Sequence, residues 1–206
     1  MPIPIYRITD NRNLPFILEH GLHCAHSETT DPNFIRIGYS SLISTRDSWP
    51  VTVHPRGVLG DYIPFFFCFR PVMLFVIKRR NRPGVVGNHD DIVHLVSSVE
   101  KVVDLQVPFV FSDRNAKTVL RSFYSDLRAL EQFDWEAIHS RNWGSLSDDP
   151  ERLELKQAEF LVHRHLPLEA ITEIGCCTDQ VAADVTQMVA NSGNNIPVNV
   201  RPSWYY

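Results

Sequence analysis

Lys156-Gln157-Ala158-Glu159-Phe160-Leu161-Val162 decides the fold. In a strand, Gln157 and Glu159 project from one face, while Ala158, Phe160 and Val162 project from the other. A carboxylate and an amide thus sit side by side at the head of an apolar strand. A solvated edge strand carries the same pattern, so the pair alone leaves structural and catalytic readings open.

Outward from that strand, short apolar segments recur without regular alternation. Strands are expected at Ile3 to Ile8, Tyr62 to Phe69, Val72 to Ile77, Ile92–Val96, Val107–Phe111, Glu159–His163, Ile171–Cys177 and Val198–Arg201. A short helix is expected to follow Asp10-Asn11 and end at Gly21, since Asp or Asn caps a helix start and Gly ends one. Val119, Leu120, Phe123, Leu127 and Leu130 fall at helical spacing and predict a helix from about Ala116 to Leu130, restarting through Trp135 to Ile138. Val181, Val185, Met188 and Val189 predict another. Residues 27–60 read as long loops with one short helix around Tyr39–Thr45. Strands mixed irregularly with few helices indicate an α+β domain spanning residues 1–206.

The 206 residues are 44% hydrophobic, ample for one core. Nothing resembles a membrane span or a signal peptide, which predicts a soluble, cytoplasmic chain. The four cysteines form neither a redox pair nor a disulfide framework and are expected as mostly buried free thiols. His20, His23, Cys24 and His26 crowd together but match no zinc spacing, so solvated histidines at a helix end are expected rather than a metal site. No Walker or dinucleotide glycine pattern and no G-x-S-x-G is present, which disfavours ATP hydrolysis, ordinary dehydrogenase chemistry and serine hydrolysis.

The net charge of −4 hides a split, +2 over residues 1–103 and −6 over 104–206. Between Arg36 and Arg82 stand eight basic residues and two acidic ones. A bound anion is expected there. Loops with arginines and aromatics suit phosphate contact and base stacking, and the Lys78-Arg79-Arg80 run reads either as part of such a groove or as a solvated hairpin tip.

Seven pieces occur in order along the chain: Ile5-Tyr6-Arg7-Ile8-Thr9 with Asn13-Leu14 and Gly21-Leu22; Gly60-Asp61-Tyr62-Ile63-Pro64-Phe65; Arg70 through Met73-Leu74; Ile92-Val93-His94-Leu95-Val96; Phe111-Ser112-Asp113; Gln157-Ala158-Glu159; and Trp204-Tyr205-Tyr206. Together they resemble the DarT family, the ADP-ribosyltransferase toxins of DarT–DarG toxin–antitoxin systems, which modify thymidine in single-stranded DNA. The resemblance implies the ADP-ribosyltransferase fold, a split pair of small β-sheets with an NAD cleft and flanking helices. It implies NAD as donor substrate and no metal, with Glu159 as catalytic glutamate and Arg46, in Ser44-Thr45-Arg46, in the place of the catalytic arginine. It puts Arg7, Thr9, Asn13 and Leu14 beside the NAD, with Tyr62 and Phe66 near the nicotinamide.

Gln157 is similar to the Gln-x-Glu arrangement of transferases that modify amides or bases. With it, Tyr39, Trp49, Arg70, Met73 and Arg79 are the candidates for holding a single strand. Arg7 and Asn115 stand where several relatives carry His, and Phe66 where they carry Tyr. The expected partners are single-stranded DNA and a DarG-like macrodomain antitoxin, with no membrane and a monomeric state by default. The alternatives are transfer to RNA or another acceptor, or an inactive nucleic-acid-binding domain.

Overall fold

The computed structural model describes residues 2–39, 47–79, 85–116, 118, 121–141 and 150–206. Twelve strands run in chain order: β1 Pro4–Asp10, β2 Leu22–His23, β3 Gly38–Tyr39, β4 Tyr62–Phe66, β5 Val85–Val86, β6 Ile92–Ser98, β7 Phe109–Ser112, β8 Phe123–Tyr124, β9 Glu159–His163, β10 His165–Leu166, β11 Glu173–Cys176 and β12 Val198–Val200. The α-helices are α1 Leu14–His20, α2 Val72–Arg79, α3 Val99–Asp104, α4 Trp135–His139, α5 Pro150–Leu155 and α6 Asp179–Asn191. Eight strands lie in the order β12-β11-β6-β1-β4-β9-β7-β8.

That sheet is nearly two. β1 pairs with β6 over its whole length, from Pro4↔Ser98 to Asp10↔Ile92, and β4 pairs with β9 from Tyr62↔His163 to Phe66↔Glu159. Between the halves, β1 and β4 share one register pair, Tyr6↔Phe66. Continued, that register would set Arg7 against Phe65 and then Ile8 against Pro64. The Pro64 carbonyl accepts instead from Arg7 Nη1 at 3.1 Å, and proline has no N–H to continue a ladder. The sheet therefore opens at Pro64, and the expected split architecture follows from a proline in a strand.

One face of both halves is closed by Ile5, Leu14, Ile17, Phe65, Phe111 and Phe160, each at most 1% exposed. Side chains of this size contribute roughly 2–3 kcal/mol each on burial. Helix α6 covers this core with Val185 and Val189, and Thr178 caps it by accepting from the Val181 N–H. The final residues fasten the other side. Trp204 stacks on Phe69, and the Tyr205 hydroxyl donates to the carbonyls of Ile92 at 2.8 Å and Gly175 at 3.1 Å. Gly175 has to be glycine, because a Cβ there would overlap the Trp204 ring.

Several expectations are corrected. Val72 to Ile77 is not a strand but most of helix α2: Leu74 and Ile77 are buried at helical spacing, and Lys78 and Arg79 lie in its last turn, where cations suit the helix dipole. They form no hairpin tip, and Arg80 and Arg82 lie outside the described residues. The helix expected from Ala116 to Leu130 is absent among the described residues. Phe123 and Tyr124 pair instead with Ser112 and Phe111, and Leu127–Gln132 is a 3-10 turn capped by Asp126. Helix α3, capped by Ser98, and helix α5 were not expected. Of the helix expected around Tyr39–Thr45, Tyr39 belongs to β3 and residues 40–46 lie outside the described set. Among the described residues, no helix is long and apolar enough to cross a membrane.

Candidate active site

A cleft of about 590 Å³ opens where the half-sheets part. Glu159 forms its floor at the head of β9 and is 1% exposed. Phe66 stands opposite it on β4 and Ser112 opposite it on β7. The Ala116 N–H donates to Glu159 Oε1 at 3.3 Å, so a backbone dipole aims at the buried carboxylate.

Gln157 lines the cleft beside Glu159, although not as a strand residue. It sits in the turn after α5, where its N–H donates to the Glu154 carbonyl at 3.0 Å. Its side chain is held at both ends. Asn115 Nδ2 donates to Gln157 Oε1 at 2.9 Å, and Gln157 Nε2 donates to the Leu153 carbonyl at 3.0 Å. Asn115 also lines the cleft. The Asn115 amide therefore orients the residue next to the carboxylate.

Of the residues expected beside NAD, Arg7 and Thr9 line the cleft from β1, and Tyr62 and Phe66 line it from β4. The Tyr62 hydroxyl is already committed to the Arg56 carbonyl at 2.6 Å, and burial followed by the Asp61 charge pushes its pKa up to about 12. Tyr62 thus offers the cleft a ring rather than a proton, whereas half-buried Phe66 offers a stacking face.

The Asn13 and Leu14 side chains do not line the cleft. Leu14 is core. Asn13, fully buried, donates from Nδ2 to Thr9 Oγ1 at 3.0 Å and to the Ile35 carbonyl at 2.9 Å, and its Oδ1 accepts from the Ile35 N–H at 2.8 Å. Its amide works as a strand edge that pins the 34–37 wall of the cleft to the end of β1.

The candidates for holding a single strand scatter. Met73 lines the cleft from α2, packed on Gly38, whose φ of 103° favours glycine. Arg70 turns away, its guanidinium 4.2 Å from the Tyr206 ring centroid. Arg79 lies over Phe75 at the exposed end of α2, and Trp49 lies under Arg121; neither lines the cleft. The Tyr39 side chain and Arg46 are outside the described residues. Among the crowded histidines, the His23 ring lies tilted against that of His165, centroids 4.5 Å apart, and both Nε2 atoms engage the His20 carbonyl at 3.1 Å.

A sequence model of the family described as ssDNA thymidine ADP-ribosyltransferase, DarT, matches residues 6–206. The chain belongs to the DarT family. It is 35% identical over 204 residues to an Escherichia coli O127:H6 protein named DNA ADP-ribosyl transferase, covering 98% of this chain and 93% of that one. Its structure is similar to that of Thermus sp. 2.9 DarT in complex with ADP-ribosylated ssDNA, with a TM-score of 0.91, 35% identity, and 100% and 97% of the two chains covered. It is also similar to the same DarT in complex with NAD+, with a TM-score of 0.86, 35% identity, and coverage of 100% and 98%. The protein is an NAD-dependent DNA ADP-ribosyltransferase with the split fold of its family.

Sequence reasoning missed two supports of this site. Lys156 is 2% exposed, and its ammonium donates to the carbonyls of Ser140 at 2.7 Å and Ile138 at 3.2 Å, closing the end of α4 behind Gln157. The Asn13–Ile35 contact is the other. Neither has a local sequence signal, since Asn13 and Ile35 stand 22 residues apart.

Proposed function

We propose that this cleft transfers ADP-ribose from NAD to a thymine ring nitrogen of single-stranded DNA, with Glu159 as the catalytic carboxylate. The observation that carries it is a carboxylate 1% exposed at the cleft floor, flanked by an aromatic ring and an oriented amide. The nicotinamide–ribose bond breaks with its electron pair leaving on nicotinamide, so positive charge develops at the ribose carbon. A buried carboxylate beside that carbon stabilises the charge more than water does. The thymine nitrogen then bonds to the carbon, and its proton passes to Glu159.

Arg7 and Thr9 take the ribose and phosphate side of NAD, with the Phe66 ring beside the nicotinamide. Asn13 and Leu14 hold the wall behind it. Gln157, with Met73 across the cleft, orients the acceptor base. Arg46 acts by resemblance, pairing with the NAD phosphates or stabilising the base as its proton leaves. The pairing edge of a base is hidden in a duplex, which is why the acceptor strand is single.

By the same resemblance the protein is the toxin of a toxin–antitoxin pair whose antitoxin is a DarG-like macrodomain protein; it acts in the cytoplasm, with a monomer as the default state. Labelled NAD incubated with separate DNA, RNA and protein pools tests the acceptor. Label confined to single-stranded DNA is expected; label in RNA or protein overturns the assignment.

A further inference from the structure

The register carries the catalytic row beyond Glu159. Phe66, Glu159, Ser112 and Phe123 stand directly opposite one another across β4, β9, β7 and β8. Residues directly opposite in antiparallel strands share a face, so the Phe123 ring emerges on the face that carries Glu159, two strand spacings or about 10 Å away.

Over that ring lies Arg121. Its guanidinium carbon is 5.1 Å from the Phe123 centroid and 4.9 Å from the Trp49 centroid, so the cation is held against two aromatic rings. Nη1 donates to the Thr118 carbonyl at 2.6 Å. The hydrophobic base of this stack, Leu161, Val110 and Ala116, continues into the active site, because Ala116 is the residue whose N–H meets Glu159.

Among the described residues no carboxylate lies within ion-pair distance of Arg121, and Nε is buried without an acceptor. Burial pushes its pKa down, with no acid opposing that shift. A half-buried cation, fixed by two rings and one carbonyl and with no counter-charge among the described residues, is preorganised for an anion. Arg remains charged at any working pH and its fork matches phosphate oxygens.

We propose that Trp49, Arg121 and Phe123 form a phosphodiester subsite that grips the DNA backbone one or two nucleotides from the acceptor thymidine. The proposal rests on the single-stranded-DNA reading of the cleft. It gives Trp49 a role as a wall that stiffens an arginine, in place of direct base stacking within the cleft.

The test is steady-state modification of a thymine-containing oligonucleotide by wild type, Arg121→Ala and Trp49→Leu at several salt concentrations. Arg121→Ala is expected to raise KM for the oligonucleotide roughly tenfold, the low end for a charge-assisted contact. It is expected to reduce the slope of log KM against log salt by about 0.7, one single-strand phosphate. NAD affinity by calorimetry is expected to stay within about twofold, since the subsite lies two strands from Glu159.

An oligonucleotide series with one neutral methylphosphonate linkage moved stepwise locates the contact. One position is expected to weaken wild type while leaving Arg121→Ala indifferent. Unchanged KM and slope in Arg121→Ala, or equal sensitivity of both proteins to every linkage, overturns the subsite. Should Arg121→Ala fail to bind NAD or to melt cooperatively, Trp49→Leu decides: a raised oligonucleotide KM supports the subsite and an unchanged one overturns it. A wild type that modifies no DNA at all would instead refute the function on which the proposal rests.

Discussion

Asn115→Ala tests whether the amide pair is part of the machinery. Asn115 Nδ2 sits 2.9 Å from Gln157 Oε1, and the far end of Gln157 is fixed on the Leu153 carbonyl at 3.0 Å. Removing one neutral hydrogen bond between partly buried side chains costs about 1 kcal/mol, a factor of about five in rate if the bond is needed in the transition state. The expected result is therefore a roughly fivefold fall in kcat/KM for oligonucleotide modification. Gln157→Ala removes the oriented group itself and is expected to cost more. Because Asn115 is proposed to act through Gln157, the double variant is expected to be no worse than Gln157→Ala, a coupling of about 1 kcal/mol in the cycle. The assay is quantitation of modified oligonucleotide at saturating NAD for all four proteins. Two effects that multiply independently would show that Asn115 works by another route, and an unaffected Asn115→Ala would show that the bond does not serve catalysis.

Two further outcomes follow from buried groups elsewhere. Lys156→Met strips the donor from two carbonyls at the end of α4, and is expected to lower stability by about 2 kcal/mol, roughly 4–8 °C in Tm for a chain of this size; an unchanged melting curve would show that the ammonium contributes nothing. His94 is buried, its Nε2–H donates to the Phe69 carbonyl at 2.7 Å, and desolvation holds its pKa at about 4 against the ordinary 6.5. Between those values the unfolded chain takes up a proton that the native state refuses, so stability falls as pH drops through that window, by about 3 kcal/mol at its foot. His94→Gln, which keeps a donor, is expected to flatten that part of a urea-midpoint profile; an unaltered slope would refute the assignment.

Much of the fold was legible because strands such as β6, β7 and β9 are apolar runs bounded by turns. The same signal misled at α2. A run apolar at nearly every position has no period, and only the packing of Leu74 and Ile77 under Ile8 and Ile92 makes it a helix. The apolar spacing from Ala116 to Leu130 was helical by coincidence, since Phe123 belongs to β8 and Leu127 and Leu130 to a turn set by Asp126. In the site, alternation left Glu159 open between a solvated edge residue and a catalytic one, and the family likeness alone singled it out. Gln157 reached the cleft by a turn rather than by a strand, so that expectation was right in position and wrong in cause. Arg70 could not be placed from sequence, because its partner Tyr206 is 136 residues away. Nothing in the sequence marks Lys156 as buried, since an isolated lysine is normally solvated.

The central claim is that Glu159 drives ADP-ribosyl transfer to thymidine, and Glu159→Gln tests it most directly. Glutamine preserves shape and an oxygen for the Ala116 N–H but removes the charge. Mass spectrometry of a thymine-containing oligonucleotide after incubation with NAD is expected to show one added ADP-ribose with wild type and none with Glu159→Gln, while the variant still binds NAD. Modification by Glu159→Gln at the wild-type rate would contradict the account.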